Sequence, residues 1–173
     1  MKQIEWFERK FDFSNKQNIF PAIIERLEGT PIRLKEKISK ISKMNLRARI
    51  DNQWSIQENI GHLTDLEPLW SGRLEDILNK KEEMRPADLT NKKTHQADHN
   101  NRDANELVEE FYNVRTTLVS WLKELTGENV FQSALHPRLK TPMRIMDLFL
   151  FVADHDDHHL ARITEINRLI NSQ

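Results

Sequence analysis

The chain has 173 residues with 26 basic and 27 acidic side chains, a formal net charge of −1, and 38% apolar residues. That length suits one domain, and the balanced charge leaves no basic footprint for nucleic acid. Cysteine is absent, which excludes disulfides, thiolate nucleophiles and sulfur-ligated metal centres, so any metal must sit on His, Asp or Glu.

Only four Gly and six Pro occur, beside abundant Leu, Ile, Glu, Lys and Arg, and this favours an all-α chain. The opening MKQIEWFERKFDF lacks a signal-peptide core. No apolar run approaches the roughly 18 residues of a membrane span. A cytoplasmic protein without a membrane partner is expected.

Residues 1–15 form a lead-in whose Trp6, Phe7, Phe11 and Phe13 should pack on the remainder. Apolar residues from Ile19 to Ile41 recur at helical spacing, which predicts a first helix over 16–42, kinked or restarted at Gly29-Thr30-Pro31. Ser55 with Glu58 three residues later is a capping-box signature and opens a second helix that runs to about Asn79. A polar, Pro-containing connection without period follows. Asp103 with Glu106 opens a third helix, ended at Thr126-Gly127, and Thr141 with Pro142 opens a fourth that runs to about Ile170. Four amphipathic helices describe a four-helix bundle over residues 1–173, and the long connection between the second and third leaves room for a crossover topology. Apolar side chains in the lead-in and on the third helix leave room for a homodimer.

The stretch DHDDHHLARI, residues 154–163, places three histidines and three aspartates inside the fourth helix. With Leu148 at zero and about 100° per residue, His155 falls at about −20° and His159 at about +20°, on the core stripe of Val152, Ile166 and Ile170. His158 falls at about −80°, so it and most of the aspartates read as a solvated or supporting face. Two core-facing imidazoles four residues apart can share one metal ion, or they can be a hydrogen-bonded core pair. A third ligand could come from His62, His95, His99 or His136. His62 lies on a regular helix at the margin of its apolar face, whereas His95 and His99 read as solvated and His136 as a structural hydrogen-bonding residue. Glu67 faces inward and either serves the site or pairs with an arginine across the bundle. Asp65 is the other candidate catalytic carboxylate.

The segments WSIQENIGHLTDLE (54–67) and HPRLKTPMRIMDLFLFVADHDDHHLARI (136–163) together resemble the DinB-like (YfiT-like) metal-binding four-helix bundles, a family named for damage-inducible bacterial proteins. The resemblance implies a divalent metal, nickel or zinc, held by His62, His155 and His159 with positions left for water or substrate. It further implies either an enzyme or a non-catalytic stress protein that binds a metal or small ligand. The enzyme would activate a low-molecular-weight thiol for S-transfer, or water for hydrolysis. Read from the residues alone, a helical interaction module in which His155 and His159 are satisfied core residues also stays open.

Overall fold

Ser55 sets the start of the central helix: its Oγ accepts the Glu58 amide at 3.1 Å while Glu58 Oε2 accepts the Ser55 amide at 2.8 Å, satisfying two donors that a helix start leaves open. The computed structural model describes residues 3–51 and 53–172, so residues 1, 2, 52 and 173 of the expected domain lie outside the described range. Four long helices carry the fold: α1 (Phe20–Ile38), α3 (Ile56–Leu78), α5 (Ala104–Lys123) and α6 (Ile145–Ile170). Two short ones, α2 (Lys43–Arg47) and α4 (Lys92–Gln96), lie in the connections. A small antiparallel hairpin, β1 (Ser133–Leu135) with β2 (Pro142–Arg144), precedes α6.

Both α1 and α3 pack against α5 and α6, so the pairs α1/α3 and α5/α6 occupy the diagonals of the bundle. The helices α1 and α6 run in the same direction, joined in order by Arg26 to Asp154, Arg33 to Asp157 and Lys37 to Thr164. The helix α3 runs against α6, with Asn59 facing His159 at one end and Trp70 facing Phe151 at the other. The topology is therefore not simple up-and-down, and the diagonal steps are the connections α1–α3 and α5–α6. The long polar connection after α3 instead folds back over it, seating α4 and a 3-10 turn at His99–Asn101 on its flank.

Two apolar clusters fill the bundle, one around Leu27, Leu74, Phe149 and Val152, the other around Leu34, Ile60, Phe111 and Ile163. Between them lies a polar layer to which every long helix contributes. Arg115 of α5 is 1% exposed and binds Glu67 Oε1 of α3 through Nε at 3.0 Å and Nη2 at 2.6 Å; its Nη1 binds Asp156 of α6 and reaches the Leu27 carbonyl of α1 at 3.4 Å. This layer explains why α1 does not break where Gly29-Thr30-Pro31 predicted a restart. Pro31 has no N–H to give the Leu27 carbonyl four residues earlier, and Arg115 supplies a donor in its place.

Other boundaries also differ from expectation, and the first long helix spans Phe20–Ile38 where 16–42 is expected. The fourth long helix starts at Ile145, not Thr141: Pro142–Arg144 pairs with Ser133–Leu135, and the Arg144 amide donates to Asp147 Oδ2 at 3.0 Å at the true helix start. The third ends at Lys123, ahead of Thr126-Gly127. In the lead-in, Trp6, Phe11 and Phe13 pack on the first cluster, whereas Phe7 is 61% exposed. Among the described residues no helix is long and apolar enough to cross a membrane.

Candidate metal centre

At the seam between α3 and α6, side-chain ligand atoms of His62, His155 and His159 lie within 4.8 Å of one another, and all three rings are buried. The helix-4 pair meets as its four-residue spacing requires, with Nε2 atoms 3.2 Å apart. Two nitrogens on one tetrahedral ion, each about 2.0–2.1 Å from it, would be about 3.3 Å apart, so the pair fits an ion without rearrangement.

Hydrogen bonds behind the rings fix which nitrogen carries the proton. The Asn59 Nδ2 donates to the Ser55 carbonyl at 2.8 Å, which turns its Oδ1 toward His159 Nδ1 at 2.8 Å and makes that nitrogen a donor. On His62 the logic runs through a hydroxyl: Thr94 Oγ1 donates to Asp65 Oδ2 at 2.9 Å, so it accepts from His62 Nδ1 at 3.0 Å. Both residues are thereby left with an Nε2 lone pair, the tautomer a metal ligand needs. The His155 Nδ1 is buried without a hydrogen-bond partner, and its ring stands edge-on to Trp6 with centroids 5.0 Å apart.

Burial keeps the imidazoles neutral. It is the largest influence on all three, lowering His62 to about 4 and holding His155 and His159 well below the usual histidine range, with neighbouring histidines acting in the same direction.

The histidines form one end of an open cavity of about 650 Å³ walled by Trp6, Trp54, Trp70 and Phe151. His158 also lines it and is half-buried, with its titration lowered to about 4 mainly by burial, so it stands on the cavity wall instead of a solvated face. The solvated reading of the aspartates holds for Asp154 and Asp157, bound by Arg26 at the surface, but not for Asp156, which is 0% exposed in the polar layer.

The candidate carboxylates stand behind this wall. Neither Glu67 nor Asp65 lines the cavity: Glu67 is held by Arg115, and Asp65 accepts from Thr94 and from His99 Nε2 at 2.9 Å. The expectation that His99 is solvated is corrected: it is 4% exposed because it packs on the bare face of Gly61. His95 is exposed, with its ring 5.6 Å from Trp54. His136 is buried, its Nδ1 accepting the amides of Arg138 and Leu139 at 3.2 and 3.1 Å. Sequence reasoning missed Asn59, Thr94 and Arg73. Asn59 and Arg73 share the cavity-facing stripe of α3 with His62 and could have been found by helical phase. Thr94 sits in an aperiodic connection and gives no such signal.

A family model described as the DinB superfamily matches residues 26–163. The chain belongs to the DinB superfamily. Among solved structures it is similar to YfiT from Bacillus subtilis, with a TM-score of 0.80 and 23% identity, covering 95% of this chain and 94% of that one. YfiT is described as a probable metal-dependent hydrolase with an unusual four-helix bundle topology. A protein from Streptococcus pneumoniae matches with a TM-score of 0.67 and 11% identity over 87% of this chain and 91% of its own. One from Clostridium difficile 630 matches at 0.66 and 11% over 90% and 99%. At these identities the likeness concerns the fold. No curated protein matches the chain.

Proposed function

We propose that this DinB superfamily member is a metal-dependent enzyme in which His62, His155 and His159 hold a divalent ion, nickel or zinc, at the histidine-lined wall of the cavity. The observation that carries this is the convergence of three buried imidazoles, two with Nδ1 already committed to Thr94 and Asn59 and Nε2 free to ligate. A divalent ion bound there would lower the pKa of a thiol or water beside it and present thiolate or hydroxide at neutral pH. The chain's own residues supply the rest. Asn59 and the Thr94–Asp65 pair orient the ring nitrogens, Asp65 thus acting as a positioning residue, while Trp54 and Trp70 exclude bulk water from one side.

Within this reading we favour activation of a low-molecular-weight thiol for S-transfer, because the two candidate carboxylates, Asp65 and Glu67, are both engaged behind the cavity wall. A thiol needs no strong general base, whereas water attack is helped by one. Hydrolysis remains the second reading, favoured by the description of YfiT.

The test is metal analysis of untagged protein followed by parallel assays of thiol conjugation to a chlorinated aromatic acceptor and of amide and ester hydrolysis. Stoichiometric nickel or zinc is expected, at least tenfold less metal in His155→Ala, and conjugation with at least one small thiol. Full metal content in His155→Ala would sink the ligand assignment; conjugation absent with hydrolysis present would move the reading to water. Bound metal with neither activity would favour a non-catalytic metal-binding stress protein.

A further inference from the structure

Three turns along α3 from His62, the cavity contains a cation that the metal centre does not use. Arg73 is 2% exposed and lines the cavity, yet among the described residues no carboxylate lies within salt-bridge distance of its guanidinium. Asp76, one turn on, is occupied by Lys81 and Arg85. Of the acidic residues on the cavity wall, Asp88 caps its own turn through Thr90 and Lys92, Glu165 is paired with Arg162, and Glu5 is exposed and makes no ion pair with Arg73. Arg73 Nε donates to the Arg85 carbonyl at 3.1 Å, and Nη1 lies 3.1 Å from His136 Nε2.

That last contact is not a hydrogen bond. His136 Nδ1 accepts two backbone amides, so in the neutral ring the proton sits on Nε2, and Arg73 Nη1 carries only protons. Two N–H donors therefore meet on the cavity wall with no acceptor between them. Burial, then the adjacent Arg73 and Arg138, lowers His136 to about 4 against a weaker pull from Glu83, and burial with Arg138 nearby lowers Arg73 to about 10 against a weaker pull from Asp76, as expected where positive groups outweigh the nearest carboxylates. A buried guanidinium without a carboxylate is costly, and one oxyanion would accept from both donors at once.

We propose that Arg73 and His136 form an anion subsite that receives a carboxylate or phosphate group of the small molecule whose reacting end lies at the histidine cluster. Arg138, also on the wall, stands at the subsite with its guanidinium over the exposed ring of Phe7, 5.2 Å from its centre. Trp70 bridges the two ends: its ring lies 5.6 Å from the Arg73 guanidinium carbon and 5.8 Å from the His155 ring. The substrate class is thus a compact anionic molecule that lies along one indole. Placing the reacting end at the histidines rests on the metal reading; the anion subsite does not.

The experiment uses the full chain, as purified and after chelation. It is titrated calorimetrically with succinate, inorganic phosphate and, as uncharged control, succinamide, while side-chain nitrogen NMR follows Arg73 Nε–H and His136. The free protein is expected to show His136 as the neutral Nε2–H tautomer at pH 7. At least one anion should bind saturably with or without metal and shift both signals, with succinamide silent. Succinate alone would assign a carboxylate, phosphate alone a phosphate, and both a general oxyanion site. Arg73→Met should weaken anion binding at least tenfold, with Arg73→Lys intermediate. An Nδ1–H tautomer at His136, anions that leave both signals unmoved, or equal binding of succinamide would each overturn the subsite. The NMR arm needs no variant to fold, and loss of metal alone would bear on the metal centre and not on this site.

Discussion

Arg115 is the residue on which the interior depends most. Its guanidinium lies between two buried carboxylates, and it also serves the carbonyl that Pro31 leaves open. Removing one partner of a buried ionic group strands the others, typically at about 3–5 kcal/mol. Arg115→Met should therefore lower the unfolding free energy by that order in urea denaturation. Glu67→Gln should behave differently. Burial raises the Glu67 carboxyl above its usual range against the pull of Arg115, and Oε2 has no hydrogen-bond partner, so the layer carries one negative charge more than it can satisfy. A glutamine keeps an acceptor for Arg115 and removes the surplus, at an expected cost under about 1 kcal/mol at pH 7. Because the folded pKa is raised, protonated Glu67 stabilises the fold below its unfolded pKa, and that contribution is lost as pH rises through the folded value. Glu67→Gln should thus gain on the parent chain as pH rises from the usual carboxyl value of 4.5 toward neutral. A cost equal to that of Arg115→Met, flat with pH, would refute this charge assignment.

Among the elements, α3 carries most of the site, and its contact with the connection that folds over it depends on one missing side chain. A Cβ on Gly61 would fall 2.3 Å from the His99 ring, so His99 would have to leave Asp65, which in turn orients Thr94 against His62. Alanine is the better helix former by about 1 kcal/mol, so Gly61→Ala should not weaken α3 itself. It should weaken metal binding about 10–100-fold, the usual effect of disturbing the partners of a ligating histidine. Gly61→Ala with His99→Ala should recover part of the loss, because the clash is then gone. Unchanged affinity in the single variant, measured by competition with a chromophoric chelator, would show that His99 does not transmit to the site.

Much of this element was legible in advance: the Ser55–Glu58 box fixed its start, and helical phase put His155 and His159 on the core face of α6. What escaped was tertiary. Pro142 signals a helix start locally, but the pairing of Leu135 with Pro142 and of Ser133 with Arg144 takes those residues into a hairpin instead. The His99 contact with Gly61 and the Arg115 donation to Leu27 join residues 38 and 88 positions apart, and no local pattern announces such partners.

At the scale of the whole molecule, burying so many neutral imidazoles gives the metal-free protein a characteristic acid weakness. His62 and His136 both fall from about 6.5 to about 4, and burial holds His155 and His159 well below the usual histidine range too. With the folded pKa depressed, the unfolded chain binds more protons below pH 6.5, so stability falls as pH falls. At pH 5 each of the first two would withdraw about 2 kcal/mol relative to neutral pH. Against a total stability of about 5–15 kcal/mol, that is a large share before the other two histidines are counted. Glu58, Asp65 and Asp76 are held below their usual values by arginine, histidine or lysine partners and lose their contribution only in stronger acid, whereas the raised Glu67 carboxyl gains stability as pH falls and offsets part of the histidine loss, which a parallel scan of Glu67→Gln removes. A bound ion opposes the trend, adding about 4 kcal/mol at a thousandfold excess over its dissociation constant. Urea denaturation of chelated protein at pH 7.5, 6.0, 5.0 and 4.5 should therefore show a steep loss below pH 6.5. Zinc or nickel should move that loss to lower pH in the parent chain but not in His155→Ala. A metal-free stability that stays flat from pH 7.5 to 4.5 in the parent chain and in Glu67→Gln alike would mean that the histidines are solvated or charged in the folded chain, and the tautomer argument for the site would fall with it.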